Sequence, residues 1–282
     1  MDGTSFVYRA YHALPPFQTR QGFPTQAIFG FTNMLLRILR EYSPSYLGVV
    51  FDPPGPTWRH EEMREYKAQR PPTPEGLKSQ LPWVKDILSA MGILHLEIEG
   101  YEADDVLATI AVKAKNFFKE IIIFTSDKDS LQLVDEKITV INPYVKNGVF
   151  SPEKVEEKFG LPPEKIPDFL ALTGDPVDNI PGIPGVGEKT ARKLLGEWGS
   201  IEKILENCDK IEKSLRKAIQ EHREILLRNK FLIKWREVPF SIEWNKFVLG
   251  RKDRDKLKEI FNSLEFKKLL ERIEEDPPSL FS

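Results

Sequence analysis

Apolar positions recur at helical spacing between Gln26 and Tyr42, where Ile28, Phe31, Leu35, Ile38 and Leu39 share one stripe, and predict an amphipathic helix closed by Pro44. The run from Tyr46 to Phe51, YLGVVF, has no polar break, ends in Asp52 and reads as a buried strand. Thr73, Pro74 and Glu75 have the order of a helix cap and predict a helix to about Met91. Leu94 to Ile98 alternates as a strand, Ala103 to about Phe117 is helical, and Ile121 to Thr125, IIIFT, is a second buried strand just before Asp127. Strands separated by helices predict a mostly parallel α/β sheet. Between Pro53 and Pro74 prolines and charges leave no clean apolar stripe, which predicts a mobile, partly helical excursion.

Beyond about Asn142 strands nearly vanish. Ser151, Pro152 and Glu153 open one helix, and others are predicted over Glu164 to Leu172, Thr190 to Glu197, Ile201 to Glu206 and Ile211 to Lys230. This change sets a boundary near residue 165, with an α/β domain over 1–165 and an all-α subdomain over 166–282. The closing PPSLFS reads as a loose tail.

The 282 residues carry 41 Lys+Arg against 43 Asp+Glu and are 40% apolar, a composition that excludes disordered and fibrous classes. Cys208 is the single cysteine, so disulfides within the chain and cysteine-based zinc sites are excluded. No apolar run reaches the roughly 20 residues a bilayer span needs, and the N-terminus has no signal pattern, so the expectation is a cytoplasmic protein with no membrane partner.

The net charge of −2 conceals a segregated distribution. In open α/β sheets, functional groups collect beyond the carboxyl ends of strands. Asp52 follows one such strand, and Asp127 and Asp129 follow another. Glu102, Asp104 and Asp105 in GYEADDV stand where a strand hands over to a helix, and Asp175 and Asp178 lie in TGDPVDN. Taken singly, each group has an ordinary explanation in the helix dipole or in turn chemistry. Taken together they demand cations, because two carboxylates about 5 Å apart repel by about 3 kcal/mol at an effective dielectric near 20. An all-oxygen ligand set selects Mg²⁺ or Mn²⁺, and two such ions suit in-line displacement at phosphorus.

NIPGIPGVGEKTA has the form of a helix-hairpin-helix, whose glycines Gly182, Gly185 and Gly187 let backbone N–H groups meet a phosphate, followed by Lys189, Arg192 and Lys193. From Asn179 to Arg236 there are 13 Lys+Arg and 8 Asp+Glu, a local +5 that suits a nucleic-acid backbone. The excursion adds Arg59, His60, Arg64, Tyr66, Lys67 and Arg70. A solvated loop explains that composition, and so does a single-stranded end, whose bases stack while its phosphates pair.

MDGTSFVYRAYHALP, VVFDPPGPTWRHEEMREYKAQRPPTPE, GYEADDVLATIA, TSDKDSLQLV and ALTGDPVDNIPGIPGVGEKTARKLL resemble, in one order from residue 2 to about residue 270, the successive motifs of the bacterial 5′ nuclease family. That family comprises the 5′→3′ exonuclease domain of DNA polymerase I and its stand-alone flap endonuclease relatives. The resemblance implies a PIN-like α/β core with a mostly parallel sheet, flanking helices and a helical arch, followed by an all-α helix-hairpin-helix (SAM-like) subdomain. It carries the family's metal-site acids onto Asp2, Asp52, Glu102, Asp104, Asp105, Asp127, Asp129, Asp175 and Asp178, and its arch bases onto Lys67 and Arg70, beside Tyr66. Without those nine charges the rest of the chain stands at +7.

The mechanism so implied is phosphodiester hydrolysis with two Mg²⁺ ions, for which Mn²⁺ substitutes. Asp2, Asp52, Glu102, Asp104 and Asp127 would organise the first ion, partly through waters, and Asp129, Asp175 and Asp178 the second. Lys67 and Arg70 would pair with the scissile phosphate, Arg59 and the hairpin would touch DNA, and K⁺ would sit at the helix-hairpin-helix. Expected partners are branched or 5′-flap DNA, an RNA–DNA hybrid and a separate DNA polymerase in replication and repair, with a sliding clamp docking on the final SLF; the expected state is a monomer. The alternatives are a catalytically impaired DNA-structure-binding protein of the same fold and a ribonuclease of the wider PIN-like class. The family begins with an apolar strand leading into its first Asp, whereas only Met1 precedes Asp2, so the expectation is a recorded start several residues late. Adding such a strand is expected to raise activity and melting temperature. The chain stops where a polymerase I continues, so a stand-alone nuclease or an excised domain is expected.

Overall fold

Residues 1–275 are described by a computed structural model of the chain, and strands form at each of the three runs that predict them. By internal contacts the chain divides into two units interleaved in sequence: Met1–Pro53, Pro71–Ile98 and the chain from Pro239 onward form one, Pro54–Arg70 and Glu99–Val238 the other. This differs from a single cut near residue 165, because the chain leaves the first unit and re-enters it twice. The final SLF lies outside the described residues.

In the first unit β1 (Gly48–Phe51) and β2 (Leu94–Glu97) pair in parallel, with Gly48 opposite Leu94 and Phe51 opposite Glu97. Helix Gln26–Tyr42 forms over the predicted span and buries Ile28, Phe31, Leu35 and Ile38. Its first N–H groups are capped from a distance, since Gln80 Oε1 accepts from Ala27 N at 2.8 Å. The helix predicted from Glu75 to Met91 is two, Glu75–Lys78 and Leu81–Ala90. Pro82 has no N–H to continue a helix and fits only in a first turn, so it restarts the element. Met1 and Asp2 run beside β1: Val50 N donates to Met1 O at 2.9 Å, and Asp2 bridges Val50 in parallel. Asp2 also caps helix Gly3–Ala13 by accepting from Ser5 N at 2.9 Å.

In the second unit β3 (Ile121–Phe124) pairs in parallel with β4 (Ile138–Ile141), and β4 pairs antiparallel with β5 (Val149–Phe150). The pattern reading missed β4, which is as long as the strands it found, and β5, which at two residues is too short for a period of two to register. Helix Ala103–Ala114 and the helices from Pro152–Phe159 to Arg223–Ile233 enclose a core that includes Ile123, Val140, Leu170, Leu172 and Leu226. The single helix predicted over Ile211 to Lys230 is split into Lys213–Glu221 and Arg223–Ile233, because His222 leaves the helical conformation at φ −108° and ψ 20°. The segment expected as an excursion contributes Trp58, Met63 and Tyr66 to this core, with helix limited to Trp58–Glu62. No helix of the described residues is long and apolar enough to cross a membrane.

Candidate active site

Two short pieces of chain aim four carboxylates. Beyond β3, Asp127 N donates to Thr125 Oγ1 at 3.1 Å and Asp129 N donates to Asp127 Oδ1 at 2.8 Å, an Asx turn that fixes both acids past the strand's carboxyl end. The second piece follows helix Ile166–Thr173, which ends at Gly174 with φ +82°. Only glycine fits there, since a Cβ would stand 2.4 Å from Gly182 N. Asp175 and Ile180 then exchange backbone bonds of 2.8 and 2.9 Å, and Asp175 Oδ1 accepts from Val177 N at 3.0 Å. The loop so closed leaves Asp175 and Asp178 both buried.

Asp129, Asp175 and Asp178 each offer a carboxylate oxygen within 4.8 Å of the others. Asp129 Oδ1 is buried and has no hydrogen-bond partner. Burial raises the Asp129 carboxyl well above its ordinary range, and Asp127, Asp178 and Asp175 push it further. Asp127 is also raised, by burial and by Asp178, against the opposing effect of the Asp129 N–H. Glu102 and Asp104 line the same small cavity as Asp129 and Asp178.

The basic groups of the Pro54–Arg70 segment lie on these acids. Lys67 Nζ donates to both Glu102 oxygens at 2.9 Å and lies 3.8 Å from Asp178 Oδ2. Arg70 donates to Asp178 Oδ1 at 2.6 Å, and the Tyr66 hydroxyl lies 2.9 Å from Asp178 Oδ2 and 3.1 Å from Glu102 Oε2. Burial and then the Glu102 and Asp178 charges raise Tyr66, which keeps it a neutral donor. Burial alone would raise Glu102, but Lys67 and Arg59 beside it hold it below its ordinary value. Lys67 stands at φ +54°, a left-handed conformation uncommon for a side chain of this size, and its N–H reaches Asp178 O at 3.1 Å. Sequence reasoning passed over Lys128, whose Nζ is 3.1 Å from Asp175 Oδ2; its place between Asp127 and Asp129 was the available signal.

Two of the expected residues are engaged in each other rather than open to a ligand. Asp105 was expected among the metal acids, but each of its oxygens already accepts two donors: Arg236 N and Arg59 Nη2 on Oδ1, Trp58 Nε1 and Arg59 Nη1 on Oδ2, at 2.6 to 3.0 Å. Arg59 was expected to touch DNA and is instead only 4% exposed. Asp2 and Asp52 stand at the carboxyl end of β1 in the first unit, where Asp52 N donates to Thr4 Oγ1 at 2.8 Å.

The hairpin glycines separate by role. A Cβ on Gly182 would meet Thr173 O at 2.3 Å, so this glycine serves backbone packing. Around Gly185 and Gly187 such an atom would meet nothing within 4 Å. Gly187 is the N-cap of helix Glu188–Trp198 and brings no side-chain cap, which leaves an open helix N-terminus flanked by exposed Lys189 and Lys193. Arg192 is partly engaged, donating to Glu188 Oε2 at 2.5 Å.

Two domain models of 5′-3′ exonucleases match the chain in succession. Residues 1–160 match the 5′-3′ exonuclease N-terminal resolvase-like domain, and residues 161–255 match the 5′-3′ exonuclease C-terminal SAM fold. A 5′-3′ exonuclease of Aquifex aeolicus is 45% identical over 274 residues, covering 97% of this chain and 94% of that protein. DNA polymerase I of Mycobacterium bovis is 41% identical over 281 residues, which are 97% of this chain but 31% of the polymerase. In fold, the chain is similar to the T5 5′-exonuclease with divalent metal ions (zinc) bound, at a TM-score of 0.69 and 21% identity over 95% of this chain and 96% of the other. It is likewise similar to the bacteriophage T5 flap endonuclease in a complex with DNA and metal ions, at a TM-score of 0.68 and 21% identity over 98% of each chain.

Proposed function

The chain belongs to the 5′-3′ exonuclease family, and on that premise we propose that it is a Mg²⁺-dependent 5′→3′ exonuclease and flap endonuclease that hydrolyses phosphodiester bonds at 5′ ends and flaps of DNA. The observation that carries this reading is the convergence of Asp129, Asp175 and Asp178 beside Lys67, Arg70 and Lys128. The donor set fits a hard divalent ion: it is all oxygen, its members lie within 4.8 Å of one another, and Asp129 Oδ1 lacks any donor that would compete.

Such ions supply charge stabilisation at phosphorus and an activated water when bound. The protein's own residues do the remaining work. Asp129, Asp175 and Asp178 hold the ions, with Asp127, Glu102 and Asp104 alongside, and the Asx turn and closed loop fix the first set before substrate arrives. Lys67 and Arg70 turn from Glu102 and Asp178 to the scissile phosphate, their charge needed on the acids only while cations are few. Buried Tyr66 stays in place with its single O–H within reach of both acids, Asp178 the nearer. The N–H groups at Gly185 and Gly187 hold the phosphates of the duplex, so selection is by DNA shape. Mn²⁺ substitutes for Mg²⁺ at such a site.

The test is cleavage of a 5′-labelled flap duplex with Mg²⁺ and with EDTA, alongside binding to the same DNA. Cut products near the junction that vanish in EDTA support the proposal. Tight binding with no cleavage under any divalent ion would leave a DNA-structure-binding protein of the same fold.

A further inference from the structure

Asp105 and Arg59 form a buried ion pair in the second unit, and neither has a role in the mechanism above. Asp105 is 0% exposed, and its two oxygens accept four donors. Arg59 is fixed at three nitrogens, since Nε donates to Leu232 O at 2.8 Å while Nη1 and Nη2 grip Asp105 at 2.6 and 3.0 Å. Two guanidinium groups lie over the Trp58 ring, with Arg59 Cζ 4.4 Å and Arg236 Cζ 4.1 Å from its centroid. Phe231 meets the same ring edge-on at 5.3 Å. One contact leaves this knot toward the acids: Arg59 Nη1 also donates to Glu102 Oε2 at 3.3 Å.

Glu102 therefore has two cations of different character. Lys67 Nζ lies on a side chain 17% exposed, whereas the Arg59 side chain is 5% exposed and locked. When Lys67 turns to a phosphate, Arg59 is the positive group that stays. Its planar fork can grip Asp105 with one edge and reach Glu102 with the same nitrogen, which a lysine ammonium at this position cannot do.

We infer that Arg59 is a positioning residue for the acidic site: anchored by Asp105, it holds the Glu102 carboxylate in place, and Asp105 acts only as the support of Arg59. This rests on the metal-site reading of Glu102 given above. Asp105 and its neighbour Asp104, adjacent in sequence, thus have different jobs. They differ by about 100° around helix Ala103–Ala114, so they face different surroundings.

The full chain is compared with its Asp105→Asn, Arg59→Lys and Trp58→Phe variants by thermal unfolding in EDTA and by calorimetric titration with Mn²⁺. A supporting acid and a ligand acid give opposite signs. Asp105→Asn removes a partner from a buried guanidinium and should lower the melting temperature in EDTA by about 5 °C or more, with the number of bound Mn²⁺ ions unchanged. A ligand acid in a repelling cluster would instead raise that temperature and lose an ion. Arg59→Lys should keep the number of ions and weaken Mn²⁺ binding about tenfold, as loss of an orienting partner does. If Asp105→Asn proves too unstable to titrate, Trp58→Phe removes one donor to Asp105 and keeps a ring in the stack; it too should weaken Mn²⁺ binding at unchanged stoichiometry. Loss of a Mn²⁺ site in Asp105→Asn, or wild-type Mn²⁺ affinity in folded Arg59→Lys and Trp58→Phe, would overturn the inference. A wild-type chain that binds no Mn²⁺ would overturn the metal-site reading itself, a separate failure.

Discussion

Replacing Asp129 by Asn should stabilise the metal-free protein. Asp129 shares its corner with Asp175 and Asp178, with ligand oxygens within 4.8 Å of one another. At that separation each carboxylate pair repels by about 3.5 kcal/mol at an effective dielectric of 20, so Asp129 faces a gross repulsion of about 7 kcal/mol. Lys128 on Asp175, and Lys67 and Arg70 on Asp178, offset much of this. Asn keeps the shape and removes the charge, so at a pH above the raised Asp129 value, where the carboxylate is ionised, a net gain of about 1 to 3 kcal/mol remains. For a chain of this size that corresponds to roughly 2 to 10 °C in melting temperature. The assay is thermal unfolding of both proteins in EDTA and in Mn²⁺. Wild type should gain from the ion, about 2.7 kcal/mol at a hundred times its dissociation constant, and Asp129→Asn should gain far less. A melting temperature in EDTA at or below that of wild type would refute the repulsion argument, since Asn can only be neutral or harmful if the three acids do not compete for cations.

Other substitutions separate packing from chemistry. Gly187→Ala places its methyl in open space at φ −88°, so the melting temperature should stay within 1 or 2 °C while affinity for duplex DNA falls about tenfold, read by fluorescence anisotropy. Gly182→Ala, whose Cβ would stand 2.3 Å from Thr173 O, should instead lower stability by about 3 kcal/mol or more in denaturant titration. Lys230→Met removes the cation 2.7 Å from Asp168, a 4% exposed acid, and should cost about 1 to 3 kcal/mol, less than a fully buried pair because Glu202 on the other side is half exposed. The same lysine is raised above 10.5 by Asp168 and Glu202 despite partial burial. Its contribution is therefore complete below pH 10.5 and lost as pH rises through the higher folded value, and a Lys230→Met chain should show no such alkaline loss. Lys67→Met with Arg70→Met strips Glu102 and Asp178 of cations, so it should lower the melting temperature in EDTA, recover part of the loss in Mg²⁺, and reduce flap cleavage at least a hundredfold in single-turnover assays.

Much of the site was legible because its acids stand where chain direction is fixed. Asp127 and Asp129 follow a run of four apolar residues, and a strand ending there has few places to put them. The TGDPVDN turn was readable for a similar reason, since Gly174 and the Asp175 side chain dictate the loop. Asp105 was not separable by motif alone, although helical geometry could have set it apart from Asp104. For Arg59, basic composition suggests solvent, whereas Trp58, Met63 and Tyr66 fold the segment inward and carry Arg59 with them. The interleaved units were beyond local pattern, since which distant segments pack together depends on long-range contacts that no periodicity records.

The most direct measurement is single-turnover cleavage of a 5′-labelled flap duplex as a function of Mg²⁺ concentration, for wild type and Asp178→Asn. The account predicts cutting near the junction at a rate that rises with Mg²⁺ and is absent in EDTA, and an Asp178→Asn chain that binds the same DNA yet leaves it whole. Cleavage that persists in EDTA, or that survives Asp178→Asn at the wild-type rate, would contradict it.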